Sequence, residues 1–306
     1  MTGTIRNEVA VQATGVEADS DPRSFLVGLI GSGVGPSLTP PMHEREAGEL
    51  GRRLVYRTID IADLGLAPES VGDLVHAARG FGFNGLNITH PCKQLVLAAL
   101  DGLSPEAAAL GAVNTVVFEG GSAIGHNTDW SAFARSLARG LPGAPRERVV
   151  LLGAGGAGAA VAHALMVSGV GELVIADVAA DRAAALAARI QERFPGGRCR
   201  PGDAAEPGRL LSGADGLVHA TPIGMAHHPG TPVPVALLRP PMWVADIVYR
   251  PVRTELLRRA EERGCPTLNG GGMAVFQACH AFELITGIAP DPERMLGHFR
   301  ELLARE

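Results

Sequence analysis

The run Gly153-Ala154-Gly155-Gly156-Ala157-Gly158 constrains the fold of this chain more than any other feature. It follows a β-branched apolar segment, Val149–Leu152, and opens a segment of small residues, Gly158–Ser168. It therefore reads as the turn between a buried strand and a helix. In that context each glycine has a physical reason. Gly153 permits a tight turn, Gly155 lets the backbone approach a pyrophosphate, and Gly158 lets the helix pack closely on the strand. Amides at the helix start, backed by the helix dipole, are ready donors to phosphate. Ala154, Gly156 and Ala157 complete the loop. Asp177 ends the next predicted strand, 19 residues past Gly158. A carboxylate there accepts both hydroxyls of a ribose and repels a 2′-phosphate, which favours NAD over NADP. The alternative is that Asp177 caps the following helix. Arg182 is either a solvated helix residue or a cation beside adenine or phosphate.

Before this unit the chain alternates strand and helix. Predicted strands are Phe25–Gly31, Leu54–Asp60 and Gly85–Thr89, and predicted helices are Pro41–Leu50, Glu69–Arg79, Lys93–Leu100 and Ser104–Leu110. Val113–Phe118 and Ala123–Asn127, joined by Glu119-Gly120-Gly121, predict a hairpin. This is an α/β unit with a mixed sheet. After Gly158–Ser168 follow a strand at Leu173–Ala176, a helix at Asp181–Phe194, strands at Gly216–Ala220 and Trp243–Ile247, and helices at Arg253–Arg263, Gly272–Thr286 and Pro292–Arg305. Two polar motifs interrupt the first unit: Asn87-Ile88-Thr89-His90-Pro91-Cys92-Lys93 and Gly125-His126-Asn127-Thr128-Asp129. An amine and a carboxylate delivered beside a dinucleotide site point to proton transfer coupled to hydride transfer.

Composition excludes several classes. A length of 306 residues suggests two domains, and a net charge of −5 with scattered Lys and Arg leaves no footprint for nucleic acid. Four cysteines without paired spacing, and His227-His228 in a Pro/Gly loop, argue against a metal site. Unpaired cysteines fit a reducing, cytoplasmic compartment. No apolar run reaches the roughly 18–20 residues of a membrane span. Residues 1–22 lack the apolar centre of a signal peptide and are expected to be a loose extension.

Read in order, the motifs resemble those of the shikimate dehydrogenases, and within them the NAD-preferring quinate/shikimate dehydrogenases. The resemblance rests on Ser37-Leu38-Thr39-Pro40 with His43, on the run ending at Lys93, on Gly111-Ala112-Val113-Asn114-Thr115, and on Asn127-Thr128-Asp129. Ala220-Thr221-Pro222-Ile223-Gly224-Met225, Asp246-Ile247-Val248-Tyr249-Arg250-Pro251, and Gly272-Met273 with Gln277 extend it to the end of the chain. It implies a substrate domain of residues 23–127 completed by C-terminal helices in 268–306, and a Rossmann domain at 128–267. It implies Lys93 and Asp129 as the catalytic pair, with Ser37 and Thr39 on a substrate carboxylate. Thr89, Asn114 and Gln277 would meet ring hydroxyls, and Tyr249 the carboxylate end. Thr221, Val248 and Gly272 would lie on the nicotinamide side of the cofactor. The partner implied is a small molecule, shikimate or quinate or their 3-dehydro forms. The state is a monomer or homodimer, and the cleft is expected to close on ligand with 224–234 as its moving edge.

The chemistry agrees with that assignment. Reducing a ketone with a dihydronicotinamide needs a proton for the developing alkoxide, which a lysine can donate while a carboxylate orients it. The oxidation direction needs the amine without its proton and so gains rate as pH rises. Asp129 could instead cap the helix that follows it. Three positions depart from the family pattern: Thr39 where many shikimate-specific members carry serine, Leu38 where some quinate-type relatives carry arginine, and His219 where asparagine is usual. They bear on the ratio of quinate to shikimate activity. Alternatives are an aminoshikimate or aminoquinate dehydrogenase and a non-catalytic sensor of quinate or NAD. The sensor is disfavoured because Lys93 and Asp129 are both present.

Overall fold

The computed structural model describes residues 24–305, so the expected extension at 1–22 lies outside the described residues. The chain first builds a mixed sheet. β1 (Ser24–Gly31) and β2 (Arg53–Asp60) are parallel neighbours joined through α1 (Thr39–Glu49). α2 (Val71–Gly80) returns the chain to β3 (Gly85–Ile88) on the other side of β1. After β4 (Gly102–Leu103) and α3 (Pro105–Leu110), β5 (Thr115–Glu119) and β6 (Ser122–His126) form the expected antiparallel hairpin. Its turn needs positive φ at Gly120 and Gly121, 56° and 84°, which glycine adopts without strain. The strand order is β2-β1-β3-β5-β6-β4. β5 runs against β3, and β6 against β5. The ends of β1, β3 and β6 and the start of β5 therefore share one edge.

α4 (Asp129–Gly140) leads into a second sheet. Its elements are β7 (Arg148–Leu152), α5 (Gly156–Val167), β8 (Glu172–Ala176), α6 (Ala180–Arg193), β9 (Arg198–Pro201), α7 (Pro207–Leu210), β10 (Gly216–His219), β11 (Trp243–Asp246), α8 (Glu255–Glu262) and β12 (Thr267–Leu268). All pairings are parallel in the order β12-β11-β10-β7-β8-β9. β10 and β11 are buried throughout, as sheets covered on both faces require. The chain starts at β7, grows outward through β8 and β9, then returns to the other flank with β10. This is the doubly wound Rossmann order, and its crevice lies where the direction of growth reverses, at the carboxyl ends of β7 and β10.

α9 (Gly271–Thr286) and α10 (Pro292–Leu303) return to the first sheet. Phe282 and Ile285 of α9 join Phe25, Val27 and Val117 in one buried cluster. Glu46 of α1, fully buried at its side chain, accepts Arg294 of α10 at 2.5 Å. α4 packs against both α5 and α9, linking the two sheets.

One sequence expectation changes, and three short strands were not foreseen. A helix over Lys93–Leu100 does not form; Leu95–Ala99 is a short 3-10 turn. The carbonyl of Lys93 accepts from Val113 N at 2.8 Å, so it is spent on a neighbouring segment and not on a helical turn. The strands β4, β9 and β12 were not legible, because two to four residues carry no measurable alternation.

Candidate active site

The shared edge of the first sheet gathers the polar motifs. Lys93 lies in the turn after β3, and Asp129 is the first residue of α4 after β6. Lys93 Nζ sits 2.5 Å from Asp129 Oδ2, with side-chain exposures of 20% and 8%. Half-burial keeps one face of the amine available while limiting solvent around the pair. The carboxylate is held on its other oxygen by Asn114 Nδ2 at 2.9 Å, and its own amide donates to Asn127 Oδ1 at 3.1 Å. Its side chain makes no cap on α4, so the capping alternative is not what the geometry uses; a negative charge at a helix start is nonetheless favourable.

Asn114 is more occupied than the resemblance suggests. Its amide donates to Thr128 Oγ1 and Asp129 Oδ1, both at 2.9 Å, and its oxygen accepts from Thr128 N and Thr115 Oγ1 at 2.8 and 3.1 Å. All four of its hydrogen-bonding positions are filled. In this arrangement it orients Asp129, and a ring hydroxyl would have to exchange with one of these partners. Sequence reading missed the hub beneath it. Asn87 Nδ2 donates to Thr115 Oγ1 at 3.1 Å, and Tyr56 Oη donates to Asn87 Oδ1 at 2.5 Å. Thr128 Oγ1 donates to the carbonyl of Gln277 at 3.2 Å, which ties α9 to this edge. The only sequence signal for this hub was the density of Asn and Thr in the two motifs.

Ser37 and Thr39 follow β1 at the same edge. Both are half-buried, and Ser37 Oγ accepts from Thr39 N at 3.3 Å. The loop before them hangs on Asp60, another residue not singled out from sequence, which accepts from Gly33 N and Val34 N at 3.1 and 2.7 Å. Burial alone would raise this carboxyl, but the amides outweigh it and hold Asp60 below the usual carboxylate range. Thr89 is half-buried at the end of β3. Gln277 is half-buried on α9, and its side chain donates to Ala274 O at 3.1 Å.

The second sheet brings its own crest to this edge. Arg250, after β11, donates to the carbonyl of Pro36, next to Ser37. Tyr249 leans on Phe299 of α10 at 6.2 Å between ring centroids. The glycine loop has the features a dinucleotide needs. Gly153 has φ 108°, and a Cβ there would meet Ala220 O at 2.4 Å. A Cβ on Gly158 would meet Gly153 O at 2.1 Å, whereas Gly155 and Gly156 face open space. The tight turn, the open approach and the close helix contact thus fall on the three expected glycines, flanked by Ala154 and Ala157. No side chain caps the start of α5, which leaves its first amides for a phosphate.

Asp177 sits at the carboxyl end of β8, its side chain 6% exposed. It accepts from Ala154 N at 2.8 Å, Ala179 N at 2.9 Å and Arg182 Nη2 at 3.1 Å. Burial alone would raise its carboxyl, but these donors prevail and lower it. Arg182, 60% exposed, is its ion-pair partner. Thr221 follows β10 beside Gly153, and Val248 N donates to Asp246 Oδ1 at 3.0 Å. Gly272 serves packing: a Cβ there would meet Ser136 Oγ of α4 at 2.5 Å.

Residues 29–116 match the family model described as the shikimate dehydrogenase substrate binding domain. The chain is 62% identical over 279 residues to a protein of Streptomyces avermitilis named shikimate dehydrogenase (NADP(+)), covering 91% of this chain and 96% of that one. It is 49% identical over 280 residues to a protein of Corynebacterium efficiens named quinate/shikimate dehydrogenase (NAD(+)), covering 91% and 99%. A solved structure, quinate dehydrogenase from Corynebacterium glutamicum in complex with NAD, superposes with a TM-score of 0.84 at 48% identity, covering 91% of this chain and 99% of that one.

Proposed function

The chain belongs to the shikimate dehydrogenase family, and from that premise we propose that it interconverts shikimate and 3-dehydroshikimate with NAD, taking quinate and 3-dehydroquinate as a second pair. The observation that carries this reading is the ion pair of Lys93 and Asp129, 2.5 Å apart, on the sheet edge that Arg250 joins to the crest of the parallel sheet. The nicotinamide, when bound, supplies the hydride in one direction and takes it in the other. Gly153 to Gly158 and the first amides of α5 would hold its pyrophosphate, and Asp177 its adenosine ribose.

The rest belongs to the chain's own side chains. Lys93 donates a proton to the oxygen that gains charge as the ketone becomes an alcohol, and takes it back in oxidation. Asp129 holds that amine in place, and Asn114 holds Asp129. Ser37 and Thr39, with Tyr249 nearby, receive the substrate carboxylate; Thr89 and Gln277 address ring hydroxyls, for which groups that both donate and accept are suited. We assign residues 23–127 with 268–306 to the substrate half, and 128–267 to the dinucleotide half. The free state of all four cysteines supports a cytoplasmic setting.

NAD is preferred in this reading because Asp177 presents a carboxylate where NADP carries a phosphate. The relatives carry both names, NADP(+) in one and NAD(+) in the other. Initial rates with shikimate and quinate, each with NAD and NADP, decide it. Strong NAD activity on both substrates supports the whole reading. NADP activity on shikimate alone overturns the cofactor and quinate assignments, and no activity in any of the four overturns the function.

A further inference from the structure

A buried chain of polar groups lies behind the crest where β10 meets the glycine loop. His219 ends β10 with no exposed surface, paired in register with Asp246, which ends β11. Its Nδ1 lies 3.0 Å from Asp246 Oδ1, and its Nε2 lies 2.5 Å from Thr221 Oγ1. Asp246 is held in turn by Val248 N at 3.0 Å and Thr254 Oγ1 at 2.7 Å. Acid, imidazole and hydroxyl in line have the outline of a hydrolytic triad. A histidine sealed from solvent has no face on which to meet a substrate, so the arrangement can act only through Thr221.

The hydrogen bookkeeping shows how. In the tautomer assigned from these partners the proton sits on Nδ1, facing Asp246, and Nε2 is the acceptor. Thr221 must then donate its hydroxyl proton to Nε2. Ile223 N, at 3.3 Å, takes one of the two oxygen lone pairs. One lone pair remains, and no proton is left to offer outward. Thr221 is half-buried against the glycine loop: a Cβ on Gly153 would come within 3.1 Å of its Cγ2. The network therefore presents a fixed acceptor at the crevice of the Rossmann sheet.

We propose that His219 is a positioning residue that locks Thr221 Oγ1 as an acceptor for the N–H of the nicotinamide carboxamide, an inference that rests on the assignment of Thr221 to the nicotinamide side. A carboxamide offers one acceptor end and one donor end. A threonine free to rotate pairs with either, whereas a locked acceptor pairs only with the amino end and selects one orientation of the group. Asparagine, the residue the family resemblance leads one to expect at 219, reaches the Nδ1 position and Asp246 but falls short of Thr221. Glutamine reaches the Nε2 position.

The test is calorimetric binding of NAD+, or of NADP+ if the rate assay selects it, against the 3-acetylpyridine analogue of the same dinucleotide. The analogue replaces the amino group with a methyl and cannot donate. No substrate or turnover is needed, so the result is independent of whether shikimate is the substrate. The wild type is expected to bind the natural dinucleotide about tenfold more tightly than the analogue, the scale of one hydrogen bond. His219→Asn and Thr221→Val each bring the ratio towards unity by weakening the natural ligand alone, the double variant loses nothing further, and His219→Gln keeps the ratio. Both ligands are measured on one preparation, so partial unfolding cancels. A wild type that does not discriminate, or a His219→Asn variant that keeps the wild-type ratio, overturns the proposal.

Discussion

Among single residues, the proposed chemistry needs few side chains, and many others hold those few. Lys93 and Asp129 form the pair, while Asn114, itself bonded to Thr128, holds the carboxylate and Asn127 accepts from the Asp129 amide. The pair was legible in the sequence because each member closes a polar motif after an apolar run. Its supports were not, since Tyr56, Thr115 and Asn87 lie on strands where a polar residue reads as a flaw in the pattern until the fold shows its partner. Asp177 belongs to the same scale. Its carboxylate, held below the usual range once the amide and Arg182 bonds have overcome burial, stays charged throughout the neutral region. Asp177→Asn is expected to lower the NAD-to-NADP ratio of kcat/KM by at least about tenfold, equivalent to ~1.4 kcal/mol of discrimination. An unchanged ratio with shikimate and quinate, each assayed with NAD and NADP, would remove Asp177 as the specificity determinant.

Among elements, the glycine loop shows sequence and structure in closest agreement. The expected positions followed from strand, turn and helix in register: a Cβ on Gly153 would meet Ala220 O at 2.4 Å, one on Gly158 would meet Gly153 O at 2.1 Å, and one on Gly155 would face open space. The atoms met are backbone and cannot swing aside. Gly158→Ala is therefore expected to cost about 2 kcal/mol of stability by overpacking and to weaken dinucleotide binding, read by urea denaturation and calorimetry. Wild-type values for both would show that α5 can shift without penalty. Where the sequence misled, a tertiary contact was responsible. The segment from Lys93 has helical composition, but Val113 claims the carbonyl of Lys93. The short strands β4, β9 and β12 exist because neighbouring strands recruit them, a fact that lies in the partner and not in their own residues.

Across the whole molecule, buried histidines make the fold sensitive to acid. His43 is wholly buried, edge-on to Tyr56 and Phe282, and burial outweighs a weak backbone contact with Ala278. Burial pushes it down to about 3. The unfolded chain therefore binds a proton that the folded chain refuses, and this contribution is complete above the unfolded value and declines as pH falls towards the folded one. Between its ordinary value near 6.5 and pH 5 the loss is about 2 kcal/mol. His163, lowered to about 4 chiefly by burial, acts in the same direction. The denaturation midpoint is expected to fall from pH 7.5 to 5, and by less in His43→Phe; equal falls in both proteins would contradict this. In the proposed function the two sheets divide the work, one holding the dinucleotide and the other the proton pair, and turnover would need both. The most direct test replaces the amine alone. Lys93→Ala is expected to keep its calorimetric affinity for NAD while losing roughly 10²–10⁴-fold in kcat with shikimate, the range for a lost general acid–base. Turnover at the wild-type rate would contradict the central claim that Lys93 handles the proton.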